Sequence, residues 1–203
     1  MVENEINILI AGVGGQGNIL ASKIIAEAAL HQGRNVIVGE VFGVSQRGGS
    51  VISHVRLGGR CLSPLSPEHG SEIICGLEPM EALRAASIYV KSNGLVISNS
   101  RPHQPVAVNR GKVSYPPIEK IQSGLKKLCL QVTVFDATLL AERAGNPNAA
   151  NIVLVGALSV LPIIDLPVSS FEIAIEENMP KAVKTNHKAF HLGREEMLRL
   201  SKN

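Results

Sequence analysis

The 203-residue chain carries 20 Lys and Arg against 17 Asp and Glu, a formal net charge of +3, with 45% apolar and 18% charged residues. This length and apolar content suit one domain with a real core and exclude a disordered chain, and 19 glycines without a three-residue repeat exclude a collagen-like one. Aromatics are scarce, with four Phe, two Tyr and no Trp, which disfavours base stacking on single-stranded nucleic acid and pockets that grip a flat ring. The basic residues form no long run, so the small positive charge implies neither nucleic acid nor a membrane surface as partner. Residues 1–5 are acidic where a signal peptide would be basic, and the apolar stretch Ile6 to Ala11 is too short for a secretion signal or a membrane span. Cys61, Cys75 and Cys129 form no CxxC pair and no disulfide framework, and three thiols fall short of the usual four-cysteine iron–sulfur cluster. A reduced, cytoplasmic protein is expected.

Residues 6–11 form a continuous apolar run ending in glycines, as in a strand buried on both faces. Asn18 to Leu30 reads as a helix with Leu20, Ile24 and Ala28 on one face, closed by Gly33, and Asn35 to Gly39 as a second strand. This strand–helix–strand unit predicts parallel strands with a right-handed crossover. Ser50 to Leu57 alternates, with Val51, Val55 and Leu57 on one side and His54 and Arg56 on the other, predicting a strand with one wetter face, antiparallel or at an edge. A Gly-, Pro- and Ser-rich loop over 58–71 leads to a short strand at 73–75, a helix over 81–90 and a buried strand at 95–98. Residues 99–117 hold four prolines and read as an irregular excursion. A strand at 132–135 ends at Asp136 before a short helix. Residues 151–161 are apolar on all sides around Gly156, which predicts a helix buried against the sheet or against another chain. Two helical segments, about 169–178 and 181–200, complete the chain. The expected architecture is α/β: a three-layer, Rossmann-like, mostly parallel sheet with helices on both faces, in a single domain over 1–203 whose helical C-terminal part begins near 150.

Gly12, Gly14, Gly15 and Gly17, with Gln16 among them, follow a strand and open a helix, so backbone N–H groups and the helix N-terminus can approach an anion such as a pyrophosphate. Glu40, 23 positions after Gly17, is placed to take a ribose hydroxyl. Alone, these features admit a free-standing NAD(P)-binding oxidoreductase, close strand–helix packing, or a loop facing another anion or polypeptide. Arg47 with Gly48 and Gly49 then lies at the same expected sheet edge, where a guanidinium on a freely bending backbone can meet a carboxylate or phosphate.

The combination of Gly12–Gly17 with Gly39-Glu40-Val41-Phe42-Gly43, Arg47-Gly48-Gly49 and the strand from Ser50 to Gly58 resembles the gamma-type component of 2-oxoacid:ferredoxin oxidoreductases, above all its indolepyruvate branch. The resemblance continues through Asp136-Ala137, Asn151, Gly156-Ala157-Leu158 and Asn186, Ala189, Phe190 and Gly193, nearly the whole chain. It implies a non-catalytic partner of a larger alpha subunit, in a complex converting an aryl pyruvate and coenzyme A to aryl-acetyl-CoA, carbon dioxide and reduced ferredoxin. It further implies that thiamine diphosphate, its magnesium and the iron–sulfur clusters sit on the larger subunit, with no cofactor on this chain. Gly14, Gly15, Gln16 and Gly17 would then offer donors to an anion, for example the phosphates of coenzyme A, with Arg47, Gly48 and Gly49 facing that anion or the larger subunit. The isolated chain is expected to form a homodimer. With so few aromatics, an indole ring must be gripped by the partner.

Other candidates have plainer explanations. His187 and His191, with Glu195 one turn on, have metal-compatible spacing but lack an HExxH motif and sit on a charged helix, which favours a solvated face. Asp136, Asn151 and Asn186 stand at expected helix starts, where capping suffices. Cys61 has no neighbouring His to activate it. No Ser/His/Asp or Cys/His set stands out, nor a Tyr-x-x-x-Lys pair for hydride transfer.

Overall fold

The computed structural model describes residues 5–43, 49–59, 63–103 and 115–202. Among these residues six strands form one sheet: β1 (Ile6–Val13), β2 (Val36–Phe42), β3 (Ser50–Leu57), β4 (Ser71–Gly76), β5 (Val90–Asn99) and β6 (Gln131–Phe135). Seven α-helices of the described residues join them: α1 (Asn18–Leu30), α2 (Pro79–Tyr89), α3 (Ile118–Leu125), α4 (Ala137–Ala144), α5 (Ala150–Leu158), α6 (Val168–Asn178) and α7 (Val183–Leu200). Strand order is β2-β3-β1-β4-β5-β6. The run β1-β4-β5-β6 is parallel, whereas β3 is antiparallel to both β1 and β2.

β1 and β2 therefore share a direction, as the strand–helix–strand unit predicts, but β3 is inserted between them. β1 is buried along its whole length. Ile8 and Ile10 face a core built with α1, α4, α5, α6 and α7, whereas Leu9 and Ala11 face a smaller core built with α2 and α3. Two unequal cores on opposite faces give the three layers. No helix of the described residues is long and apolar enough to cross a membrane.

The expected wet face of β3 is covered. His54 is fully buried and Arg56 is 8% exposed, beneath residues 63–66. The Ser66 N–H donates to His54 Nδ1 (3.1 Å), and Arg56 donates to Asn7 Oδ1 (2.8 Å) and the Ser63 carbonyl (2.6 Å) while pairing with Glu5. Burial, with Arg56 nearby, holds the His54 imidazole below its usual value and hence neutral at pH 7. Alternation in sequence records that one face is polar, and a polar loop satisfies that face as well as water does. Sequence reading also passes over α3, although Ile118, Ile121 and Leu125 recur at helical spacing directly after Pro116 and Pro117.

α5 is wholly buried from Asn151 to Leu158, and its cover comes from its own chain. It crosses α7 backbone to backbone. A Cβ at Gly156 would lie 2.0 Å from the Phe190 carbonyl oxygen, and one at Gly193 would lie 1.8 Å from that of Val153. The apolar helix therefore gives no reason to expect a second chain against it. Gly156→Ala or Gly193→Ala should lower stability by about 3 kcal/mol or more, as overpacking without room to relax does. Thermal unfolding of either variant within a degree or two of the wild type would show that the crossing is not tight.

Candidate functional site

At the carboxyl edge of β1 the chain turns through Gly14–Gly17 into α1. Gly15 (φ 103°) and Gly17 (φ 84°) occupy the left-handed region, where a side chain is strained. Gln16 folds inward: its Oε1 accepts the Val13 N–H (2.8 Å), its Nε2 donates to the Leu77 carbonyl (3.3 Å), and its own N–H donates to the Val13 carbonyl (3.1 Å). Asn18 Nδ2 is shared between the Ile10 (3.3 Å) and Val51 (3.1 Å) carbonyls. Asn151, brought from α5, donates from Nδ2 to the Gly17 carbonyl (3.2 Å). Three side-chain amides thus fix the loop from within.

The two glycine segments meet, because the Gly14 N–H donates to the Gly49 carbonyl (2.9 Å). Arg47 and Gly48, the other members of that segment, lie outside the described residues, as does Cys61. Between the segments lies a pocket of about 510 Å³, bounded by Gly14, Gly15, Gly17, Asn18 and Ile19 on one side and Phe42, Gly43, Ser50 and Val51 on the other. α1 opens on this pocket with no side-chain cap, so its first-turn N–H groups carry the positive end of the helix dipole without an acceptor among the described residues. No charged side chain lines it among the described residues. Gly12 and Gln16 belong to the framework behind the pocket and not to its wall.

Glu40 does not serve the pocket. Its carboxylate accepts from Ser22 Oγ (3.0 Å) and from Ser53 Oγ. In dinucleotide-binding sheets the second strand lies beside the first. Here β3 intervenes and carries Glu40 one strand outward.

Asp136 caps α4, its Oδ1 accepting the Leu139 N–H (2.8 Å), and also holds Arg101 (3.0 Å), which reaches Glu142 as well (2.7 Å). Asn151 and Asn186 are not the N-caps expected. Asn151 lies one residue inside α5, its Oδ1 taking the Ile152 N–H (2.9 Å), and Asn186 is buried within α7 with no partner for its Oδ1 among the described residues. His191 meets the Glu172 carboxylate of α6 (2.9 Å), and His187 the Glu172 carbonyl (3.3 Å) and Glu176 (3.5 Å). No group of three or more His, Cys, Asp or Glu suited to a metal ion occurs among the described residues. Cys75 is fully buried and its thiol is pushed up to about 12, which leaves it inert near neutral pH.

Where β4 leads into α2, Glu78 is buried; it accepts the Glu81 N–H (2.9 Å) and the Tyr115 hydroxyl. Sequence reading passes over it, because its partner lies 37 residues away.

A model of the pyruvate ferredoxin/flavodoxin oxidoreductase family matches residues 7–196, and the chain belongs to that family. It is 44% identical over 191 residues to the indolepyruvate oxidoreductase subunit IorB of Pyrococcus horikoshii, covering 93% of this chain and 94% of that one. Among solved structures, it resembles the gamma subunit of a keto/oxoacid ferredoxin oxidoreductase from Geobacter sulfurreducens, with a TM-score of 0.70, 27% identity and coverage of 96% and 99%. It also shares the fold of part of the 2-oxoglutarate:ferredoxin oxidoreductase from Magnetococcus marinus, with a TM-score of 0.72 at 18% identity, covering 98% of this chain and 32% of that longer one.

Burial pushes the Glu78 carboxyl above the usual range, opposed in part by its hydrogen bonds from Tyr115 and Glu81. Ionising it therefore costs the folded state more than the unfolded chain. The penalty is absent at pH below the usual glutamate range, grows as pH rises through that range, and saturates above the raised folded value. Glu78→Gln removes this slope, so its stability relative to the wild type should be higher at about pH 7.5 than at about pH 4. A pH-independent difference in denaturant midpoints would overturn the assignment.

Proposed function

We propose that this chain is the small, non-catalytic subunit of an aryl pyruvate:ferredoxin oxidoreductase, which converts an aryl pyruvate and coenzyme A to aryl-acetyl-CoA, carbon dioxide and reduced ferredoxin. In this reading a larger subunit holds thiamine diphosphate, its magnesium, the iron–sulfur clusters and the aryl ring. The pocket at Gly14–Gly17 does not suit a magnesium diphosphate, since no carboxylate lines it among the described residues. It does suit the phosphate end of coenzyme A. One observation carries this: an uncapped helix N-terminus and a glycine loop opening on about 510 Å³ with apolar Ile19, Phe42 and Val51 at its wall. The N–H groups match phosphate oxygens, and the apolar wall matches a flexible, largely uncharged arm. Family membership and the names of the relatives support the oxidoreductase assignment, and the strand order speaks against a nicotinamide dinucleotide.

Ile19 sits in the first turn of α1, 53% exposed, on the pocket wall. A carboxylate there favours the helix but repels a phosphate. In the assembled two-subunit enzyme, Ile19→Glu should raise KM for coenzyme A about tenfold, the effect of a like charge a few ångströms away in partly screened solvent. KM for the aryl pyruvate should stay as it is. An unchanged KM for coenzyme A would remove the nucleotide from this pocket.

A further inference from the structure

Asn151 is buried, 4% exposed, and comes from the far end of the sequence to lie under the glycine loop. Its two polar ends do different work. Oδ1 takes the Ile152 N–H, one of the orphan donors at the start of α5, whose N-cap Ala149 offers no side chain. Nδ2 then points the other way and donates to the Gly17 carbonyl, which also accepts the Ala21 N–H (3.0 Å) that starts the α1 ladder. The fit is close on both sides: a Cβ at Gly17 would stand 2.4 Å from Asn151 Nδ2. Gly17 is the residue that sets the entry angle of α1, with φ 84° and ψ 31°. The direction of the first-turn N–H groups therefore depends on where Asn151 holds that one carbonyl. α5 itself cannot slide, since the Gly156 and Gly193 crossing pins it to α7.

We infer that Asn151 is the positioning residue of the glycine pocket: it touches no ligand, and it orients the α1 N-terminus for the phosphate of coenzyme A through the Gly17 carbonyl. This rests on the reading of the pocket given above. An amide is required because one group must accept from Ile152 while the other donates to Gly17. Aspartate has the same shape and keeps the first role, but it sets an oxygen against the Gly17 carbonyl.

The test is calorimetric titration of the assembled two-subunit enzyme with coenzyme A, in the absence of 2-oxoacid, for wild type, Asn151→Asp and Ile19→Glu. Asn151→Asp keeps the helix-start bond but buries a carboxylate against the Gly17 carbonyl, so its melting temperature should fall, and the titration is made well below that temperature. Its Kd for coenzyme A should rise roughly tenfold, the scale of one hydrogen bond replaced by a repulsion. In turnover the loss should fall on KM for coenzyme A and not on KM for the aryl pyruvate, a split that general loosening of the fold would not produce. If Ile19→Glu weakens coenzyme A and a folded Asn151→Asp does not, the pocket reading stands and the role of Asn151 is overturned. If neither variant changes Kd, both fall. Should Asn151→Asp fail to assemble, Asn151→Ala, which removes the donor without adding charge, is read by the same two criteria.

Discussion

Where α5 crosses α7, the carbonyl oxygens of Phe190 and Val153 occupy the space that methyl groups at Gly156 and Gly193 would fill. Such an approach leaves no slack, because interior contacts at this density respond to a single added carbon. It fixes α5 against the inner face of the sheet, in a core shared with β1, α1, α4 and α6. Once α5 is fixed, so is Asn151 near its start, and through Asn151 the carbonyl of Gly17. A pocket at one edge of the molecule thus depends on a helix crossing near the other end of the chain. The buried area of the C-terminal helices stabilises the fold, and the same packing sets the geometry of a loop 134 residues away.

The pocket is unusual in what holds it. Gln16, Asn18 and Asn151 are neutral amides, and each turns both its polar ends, or its donor, onto backbone groups of the loop and its neighbours. None carries a charge that pH or salt can alter. Among the described residues no charged side chain faces the cavity, so the positive potential they supply comes from aligned peptide dipoles. A site of this kind has little reorganisation to perform when an anion arrives, since its donors are already held in place.

Much of this was legible in the chain. β1, apolar at every position but Asn7, announced a strand covered on both sides, and the glycines after it announced a turn into a helix. What escaped was everything settled by a distant partner. The antiparallel sense of β3 was one of the readings its alternation allowed, but its insertion between β1 and β2 follows from no local signal, since a parallel neighbour and an intervening strand leave the same pattern in β2. The wet face assigned to His54 and Arg56 is polar, as read, but a loop supplies the hydrogen bonds that water was expected to supply. Glu40 stands at the end of the second strand as a ribose ligand would, and the hydroxyls of Ser22 and Ser53 have claimed it. Gln16 lies inside the motif and looks like part of its binding surface; that it turns inward depends on Leu77, which periodicity cannot place. Asn151 looks like a helix cap, and only the approach of Gly17 gives it a second duty.

The reach of Asn151 also bears on the order in which the molecule can be made. β1 and the glycine turn leave the ribosome well before the helices that complete their surroundings. Sheet pairing among β1 to β5 can begin early, but the turn at Gly17 lacks its buttress until α5 has emerged and α7 has closed over it. Such long-range closure is slow compared with local helix and hairpin formation. A nascent chain stopped before residue 151 would therefore hold a sheet with one face only partly covered, by α1 and α4, the sort of surface that chaperones bind. The glycine turn is translated more than a hundred residues before the contact that gives it its working shape.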